Sequence, residues 1–93
     1  MNKSQIEYRR TILIYFINIY LSKKKIAMKG FLRDLKRILK GDKKITVRQL
    51  EAIIPFLDKE KEFKGRSMDE IKYYFSPLLK NYKEKDNGSN PIY

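Results

Sequence analysis

The chain of 93 residues has no cysteine, no histidine and no tryptophan. The missing cysteines exclude disulfides and thiol chemistry, and the missing histidines exclude the commonest general base near neutral pH and the commonest zinc ligand. We therefore expect no enzyme activity, no metal site and no cofactor. Chains without disulfides are typical of reducing compartments, which favours a cytoplasmic location, or the host cytoplasm if the source is viral.

Glycine, proline and long apolar runs are scarce as well. The four glycines and three prolines form no glycine-rich phosphate loop. The most apolar stretch, residues 11–21, has about half of the ~20 residues that a membrane-spanning helix needs. Glu7 and the lysines that follow Ser22 do not fit a signal peptide. The sequence therefore predicts neither a membrane span nor a secretory leader.

The length suffices for one domain with a modest core. Seven tyrosines and five phenylalanines provide enough apolar surface for the chain to fold. Residues 86–93 contain Asn, Gly, Ser and Pro, which are typical of loose chain ends. We expect a single helical domain over residues 1–85 and a flexible carboxyl-terminal tail over residues 86–93.

Three capping boxes divide the chain into helices. In a capping box a Ser or Thr hydroxyl accepts a hydrogen bond from the backbone three residues later, and a Glu or Gln at that position returns the bond. Apolar residues at helical spacing follow each box. The pattern predicts an all-α fold, a small bundle of four helices, or of five if Pro77 starts a new helix capped by Ser76. The boxes are Ser4 with Glu7, Thr46 with Gln49, and Ser67 with Glu70.

The same signals predict where each helix begins and ends. Gly41 is expected to follow the second helix in a left-handed conformation, as glycine often does just past a helix end. Pro55 is expected to kink or restart the third helix. Residues 11–21 would also suit a strand, since Ile, Tyr, Phe and Thr favour sheets, but they do not alternate in polarity. The expected helices span residues 5–22, 28–40, 47–57 and 68–82.

Positive charge is concentrated in residues 23–48. This segment has eleven Lys or Arg residues against Asp34 and Asp42, a net charge of +9 in a chain of +11, whereas the residues after it balance at eight bases and eight acids. A field concentrated on one segment attracts a polyanion: nucleic acid first, an anionic membrane or an acidic protein next. The predicted nucleic-acid-binding residues are Lys23, Lys24, Lys25, Lys29, Arg33, Lys36, Arg37, Lys40, Lys43, Lys44 and Arg48.

The second helix is predicted to have an apolar face and a basic face. Like charges four residues apart disfavour an isolated helix by a few tenths of a kcal/mol per pair, so a basic stripe suggests an anionic counterpart. An ordinary solvated face of a lysine-rich chain is an interpretation of nearly equal weight. A helix lying on a membrane is a weaker one, because the core needs the apolar face. The stripe consists of Lys29, Arg33, Lys36, Arg37 and Lys40.

Base recognition is a weaker expectation than phosphate binding. Arg48 and Gln49 begin the third helix, a position from which Arg reads guanine and Gln reads adenine in a major groove. However, the turn at residues 41–46 is longer than a helix-turn-helix usually has, and the capping box occupies Gln49. Tyrosines could instead stack on unpaired bases, but most fall on apolar stripes, and Tyr73 is the one that we expect to be exposed.

The first helix and the overall composition complete the expectations. The later half of that helix is apolar on nearly all sides, which predicts either a central place in the bundle or a homodimer whose register Asn18 fixes. A monomer in which Asn18 faces solvent is an equal alternative.

Small size and a composition rich in Ile, Tyr and Lys suggest a virus, phage or mobile element. The predicted function is regulatory or accessory binding of DNA or RNA through phosphates. The alternative is an interaction module or inhibitor that docks on an acidic protein.

Overall fold

A computed structural model describes residues 2–23 and 27–83. Over these residues the chain forms four α-helices and two strands of two residues each, so the predicted all-α bundle is confirmed. Lys24, Lys25 and the predicted tail at residues 86–93 lie outside the described residues. In chain order the elements are α1 (Lys3–Ser22), α2 (Lys29–Lys40), β1 (Ile45–Thr46), α3 (Val47–Leu57), α4 (Met68–Tyr74), a 3₁₀ turn (Ser76–Leu78) and β2 (Leu79–Lys80).

The first helix begins two residues earlier than predicted because Asn2, and not Ser4, caps it. The Asn2 side chain accepts a hydrogen bond from the Gln5 backbone N–H at 2.9 Å, and the Gln5 side chain accepts one from the Asn2 N–H at 3.1 Å. Asn caps a helix as well as Ser does. The predicted box of Ser4 with Glu7 is therefore wrong, and Glu7 instead pairs with Arg10.

The second helix ends at the predicted residue, but the residue that terminates it is Asp42. The Asp42 N–H donates to the Leu39 carbonyl at 3.2 Å and the Lys43 N–H donates to the Ile38 carbonyl at 3.1 Å, the two bonds of a Schellman motif. Asp42 has a left-handed φ of 60°, whereas Gly41 has a φ of −86°. The prediction for Gly41 is wrong by one position, since Asp tolerates this conformation better than most residues.

The predicted capping boxes of α3 and α4 are confirmed. The Gln49 N–H donates to the Thr46 hydroxyl at 3.0 Å, and the Thr46 N–H donates to the Gln49 side chain at 2.8 Å. Ser67 and Glu70 make the same two bonds at 3.1 and 2.8 Å. Pro55 lies inside α3, which continues through it to the predicted last residue without restarting.

The fourth helix is shorter than predicted. It ends at Tyr74, and Pro77 lies in the 3₁₀ turn that leads into β2. Proline has no backbone donor and disfavours helical geometry at the residue before it. The predicted continuation of the helix to residue 82 is therefore wrong. Pro77 lies in a single 3₁₀ turn that begins at Ser76 with Phe75 at its cap position, rather than in a fifth α-helix capped by Ser76.

The two strands pair in parallel. Ile45 lies opposite Leu79, and Thr46 lies opposite Lys80. In each strand the first residue is buried and the second is exposed, as the alternation of strand side chains requires. The pair attaches the connection between α2 and α3 to the carboxyl-terminal part of the described chain.

One apolar core holds the helices together, and no described polar or charged residue is buried in it. Helix α1 packs mainly against α2. Leu13 and Ile17 of α1 are fully buried in the core. Phe63, from the segment between α3 and α4, belongs to this core: its ring lies 5.9 Å from that of Phe16 and 5.6 Å from that of Phe75. Edge-on and tilted contacts at this spacing add to the stability gained by burial.

Tyr20 attaches α1 to the segment that follows α3. Its hydroxyl donates a hydrogen bond to a Glu60 carboxylate oxygen at 2.9 Å, and its ring lies 5.3 Å from that of Phe56. Burial, and then the bond to Glu60, raises the pKa of Tyr20 far above the usual value of a phenol. The segment that follows α3 is thus held to α1 through Glu60.

Candidate nucleic-acid interface

Helix α2 has the two faces that its sequence predicts. Leu32, Leu35 and Leu39 are fully buried against the core. At 3.6 residues per turn the five basic residues of the stripe cover an arc of about 100° on the flank of the helix next to the leucines. The position of the basic residues on the helix therefore follows from the same periodicity that buries the leucines.

Nine of the eleven predicted phosphate-binding residues belong to the described part of the chain. Lys29 and Lys36 are half-buried, an arrangement in which the aliphatic stem packs on apolar surface while the charged end stays in water. The exposed residues are Lys23, Arg33, Arg37, Lys40, Lys43, Lys44 and Arg48. The fold thus keeps these charges accessible.

Each of the two acidic residues of the segment lies beside an arginine. An Asp34 oxygen is 3.0 Å from the Arg37 guanidinium, and an Asp42 oxygen is 3.4 Å from the guanidinium of Arg10 in α1. The other Lys and Arg residues of the segment that the structure describes have no described ion-pair partner. The segment therefore presents an excess of positive charge that the described part of the protein does not neutralise.

Arg10 positions the turn that follows α2. Its side chain is only 12% exposed and donates to Glu7 at 2.6 Å while it faces Asp42 at 3.4 Å. Its Nε is buried and has no hydrogen-bond partner among the described residues. The sequence indicates Arg10 only as charge, although its spacing of three residues from Glu7 is typical of a helical ion pair.

The start of α3 is arranged for capping rather than for base recognition. The Gln49 side chain accepts the Thr46 N–H, so its carbonyl oxygen is already used, while Arg48 is exposed. Strand β1 lies between α2 and α3 and is paired with β2. A guanidinium at Arg48 with no described carboxylate partner is available to a phosphate.

A groove of about 570 Å³ lies outside the basic stripe, between α1, the start of α3, α4 and the residues after β2. Its aromatic lining consists of Tyr73, Tyr74 and Tyr82, and its basic lining of Arg9, Arg66, Lys72 and Lys83. Asp69 and Glu70 also line it. Grooves of this volume hold small ligands or single residues of a polymer.

Arg9 is fixed in the wall of this groove. Its Nη1 donates to the Tyr74 carbonyl at 2.7 Å, and its guanidinium lies 4.4 Å from the centre of the Tyr74 ring. Burial raises the pKa of Tyr74, and the charge of Arg9 opposes that rise. The Tyr74 carbonyl belongs to the last residue of α4 and has no hydrogen-bond donor within that helix. Arg9 of α1 supplies the missing donor.

Two of the other charged groups at the groove already have partners. Lys72 makes an ion pair with Glu51 at 2.5 Å. Glu70 accepts the Ser67 N–H, and this bond lowers the pKa of Glu70. Arg66 and Lys83 are exposed and have no ion-pair partner among the described residues.

Among the tyrosines that the structure describes, three are exposed, so the prediction that Tyr73 alone would be exposed is wrong. Tyr73 is 55% exposed, but Tyr8 and Tyr15 on α1 are 65% and 59% exposed. The sequence predicted the exposure of Tyr73, but it did not predict that basic residues from separate elements would lie near it in the groove. No local pattern connects Arg9 of α1, Arg66 before α4 and Lys83 after β2, and only the tertiary fold brings them to one groove.

Neither a protein-family model, nor a curated protein, nor a solved structure matches the chain. No described helix is long and apolar enough to cross a membrane. Within residues 2–23 and 27–83, no three acidic side chains are grouped as a metal site would require. The geometry of the basic segment and of the groove is therefore the basis for a functional proposal.

Proposed function

We propose that this protein binds nucleic acid through the phosphate backbone, with residues 23–48 as the contact surface. The observation that supports the proposal is the accessibility of the Lys and Arg residues described in this segment. Apart from Arg37, which pairs with Asp34, they have no described acidic partner, and the five residues of the stripe, Arg37 included, lie on one flank of α2. Lys and Arg at this density bind phosphates by releasing counterions, which needs no base contact.

The proposed role is regulatory or accessory and non-catalytic, in a reducing compartment such as the cytoplasm. Base recognition plays a small part in it, because Gln49 is bonded to its own cap and β1 separates the two helices that a helix-turn-helix would join by a short turn. The affinity for DNA or for RNA would then depend on charge, and any specificity would have to come from residues outside the stripe.

The salt dependence of duplex binding tests the proposal. If about five stripe residues each meet a phosphate, log K should fall against log salt with a slope of about −4 to −5, at −0.9 per contact. Fluorescence anisotropy with a labelled duplex at several salt concentrations measures this slope. A flat response would contradict phosphate binding.

A matched pair of charge variants locates the surface. Replacing Lys29, Arg33, Lys36, Arg37 and Lys40 by Glu should abolish binding, whereas replacing five exposed lysines elsewhere, Lys3, Lys59, Lys61, Lys64 and Lys80, changes the net charge equally and should preserve most of it. Circular dichroism checks that each variant is helical, and Gln replacements at the stripe provide a milder version. Equal losses in both sets would mean that net charge, not the stripe, drives binding.

The alternative function, docking on an acidic protein, relies on the same cations. Co-purifying nucleic acid distinguishes the two, because it gives excess absorbance at 260 nm that high salt removes. If the purified protein contains no nucleic acid and does not bind an added duplex at low salt, the result favours the alternative function, docking on an acidic protein.

We also propose that α1 forms a homodimer interface. Its exposed face has no charge from Thr11 onward, and its residues follow the alternating spacing of three and four that pairs helices. Asn18 is exposed on this face, where it could set the register of two copies. The face consists of Tyr8, Thr11, Tyr15, Asn18 and Ser22. Sedimentation at micromolar concentration should give twice the chain mass of 11.2 kDa, and a monomer would contradict the proposal.

A further inference from the structure

The groove beside α4 combines aromatic and cationic walls that the phosphate stripe does not use. Tyr73 is more than half exposed at its edge, and Tyr82 is half-buried along it. A base that is not paired in a duplex stacks on such rings, whereas a paired base cannot reach them. The aromatic lining thus favours an unpaired base as the ligand.

The cations of the groove suit the phosphates on either side of such a base. Arg9 is held in place by the Tyr74 carbonyl and ring and uses one of its five N–H donors for the bond at 2.7 Å. Arg66 and Lys83 are exposed, with no described ion-pair partner. A fixed guanidinium loses little side-chain freedom when it binds an anion.

The acidic residues of the groove leave it with a positive balance. Lys72 is paired with Glu51, which leaves three cationic side chains, Arg9, Arg66 and Lys83, against the two carboxylates of Asp69 and Glu70. The Glu70 carboxylate accepts the Ser67 N–H. Asp69 is exposed and remains the one lining carboxylate outside such a bond. An anion therefore meets net positive charge in the groove.

The groove also adjoins the basic segment. Val47, the first residue of α3, lines it, and the next residue is Arg48, the last base of the segment. A strand bound along the segment by its phosphates would therefore reach the groove without leaving the protein surface.

We propose that this groove binds an unpaired nucleotide of a nucleic-acid strand, with the base on Tyr73 and Tyr82 and the phosphates on Arg9, Arg66 and Lys83. This inference rests on the proposed function and extends it: the stripe binds any phosphate backbone, and the groove adds a preference for single-stranded segments. The preference is independent of sequence, because every base has an aromatic face.

Anisotropy with a short labelled single strand, and with a blunt duplex of the same length, tests the groove. Tyr73→Ala should weaken single-strand binding roughly 5- to 150-fold, the range for loss of one stacked base, and should change duplex binding by less than about twofold. Tyr73→Phe should retain affinity for the single strand. Met68→Ala removes another exposed side chain of α4, one outside the groove lining, and should alter neither.

A second variant and a cross-link test the orientation of the nucleotide. Arg66→Ala should lower the salt slope of single-strand binding by about 0.7, the value for one phosphate. A strand carrying 5-iodouracil should cross-link on irradiation to the tryptic peptide of residues 73–80, which contains Tyr73, or to that of residues 81–83, which contains Tyr82. Cross-links confined to peptides other than these two would overturn the proposal.

The outcomes separate this proposal from the function on which it rests. If both nucleic acids bind with equal affinity and Tyr73→Ala changes neither, the groove is not a nucleotide site and the phosphate surface stands. If neither nucleic acid binds, both proposals fail. If adenosine monophosphate alone binds as tightly as the strand, the ligand is a free nucleotide and the strand proposal is overturned.

Discussion

The end of α2 offers a test in which two neighbouring residues should respond with opposite signs. Gly41 has a φ of −86° and ψ of 14°, a conformation open to any residue, whereas Asp42 has a φ of 60°. A Cβ at position 41 would lie 3.4 Å from the Arg37 carbonyl oxygen and 3.6 Å from that of Ile38, which is ordinary contact. We expect Gly41→Ala to stabilise the fold and Asp42→Ala to destabilise it.

The magnitudes follow from the backbone conformations. Gly41→Ala reduces the freedom of the unfolded chain and should gain about 0.4–1 kcal/mol. An L-residue pays about 1–2 kcal/mol in the left-handed region, and Asp pays less than most. Asp42→Ala should therefore cost a part of that amount, and it also removes the carboxylate that faces Arg10. For a domain of this size 1 kcal/mol changes the melting temperature by about 4–8 °C.

Thermal unfolding followed by circular dichroism measures both changes, and two other glycines calibrate them. Gly30 is exposed in α2, and a Cβ at this position would have no neighbouring atom within 4 Å, so Gly30→Ala should also stabilise by roughly 0.5–1 kcal/mol. Gly65 has a φ of +83°, so Gly65→Ala should destabilise. A lower melting temperature for Gly41→Ala, with Gly30→Ala raised as expected, would show that Gly41 and not Asp42 occupies the left-handed position.

Three further outcomes are expected. Thr46→Ala and Ser67→Ala should each lower the free energy of unfolding by about 1 kcal/mol through loss of a helix cap, and urea titrations that show no change would contradict the capping boxes. Because burial raises the pKa of Tyr20, stability that depends on its neutral phenol is complete below about pH 10 and is lost as the pH rises above that value. Tyr20→Phe should therefore flatten the decline of stability above pH 10, while Tyr8→Phe, at an exposed position, should leave the slope unchanged. Arg48→Ala should weaken binding to all duplex sequences alike and lower the salt slope by about one; a loss confined to one sequence, in competition with a random pool, would instead indicate base recognition.

Local signals in the sequence predicted the parts of the fold that local chemistry determines. The caps at Thr46 and Ser67 were correct because a hydroxyl and a partner three residues later satisfy backbone donors with no help from the rest of the chain. The cap of α1 was misplaced because the Ser/Thr pattern omits asparagine, whereas Asn2 caps the helix together with Gln5 and gives it an earlier start. Where two caps compete, the pattern alone does not decide between them.

Features that depend on distant residues were not predicted. The strand pair of Ile45 with Leu79 involves two residues on each side, too few to show a period. The groove brings Arg9 of α1 beside Tyr74 of α4, a contact created by tertiary packing. Of the candidate site, the sequence predicted the basic stripe on one flank of α2, because the leucine spacing fixes the orientation of that helix, but it did not predict the groove.

The pairing of β1 with β2 also bears on how the protein folds and opens. Contacts between residues distant in sequence require closure of a long loop, which costs entropy, so they tend to form late in folding. Regions with few buried contacts open at lower free energy than the core does. The turn that contains Lys43 and Lys44 is held by the cap of α2 on one side and by this two-residue pair on the other. Fluctuations near the carboxyl end of the described chain would therefore loosen a phosphate-binding turn that is distant from it in sequence, and a bound polyanion would slow hydrogen exchange at both.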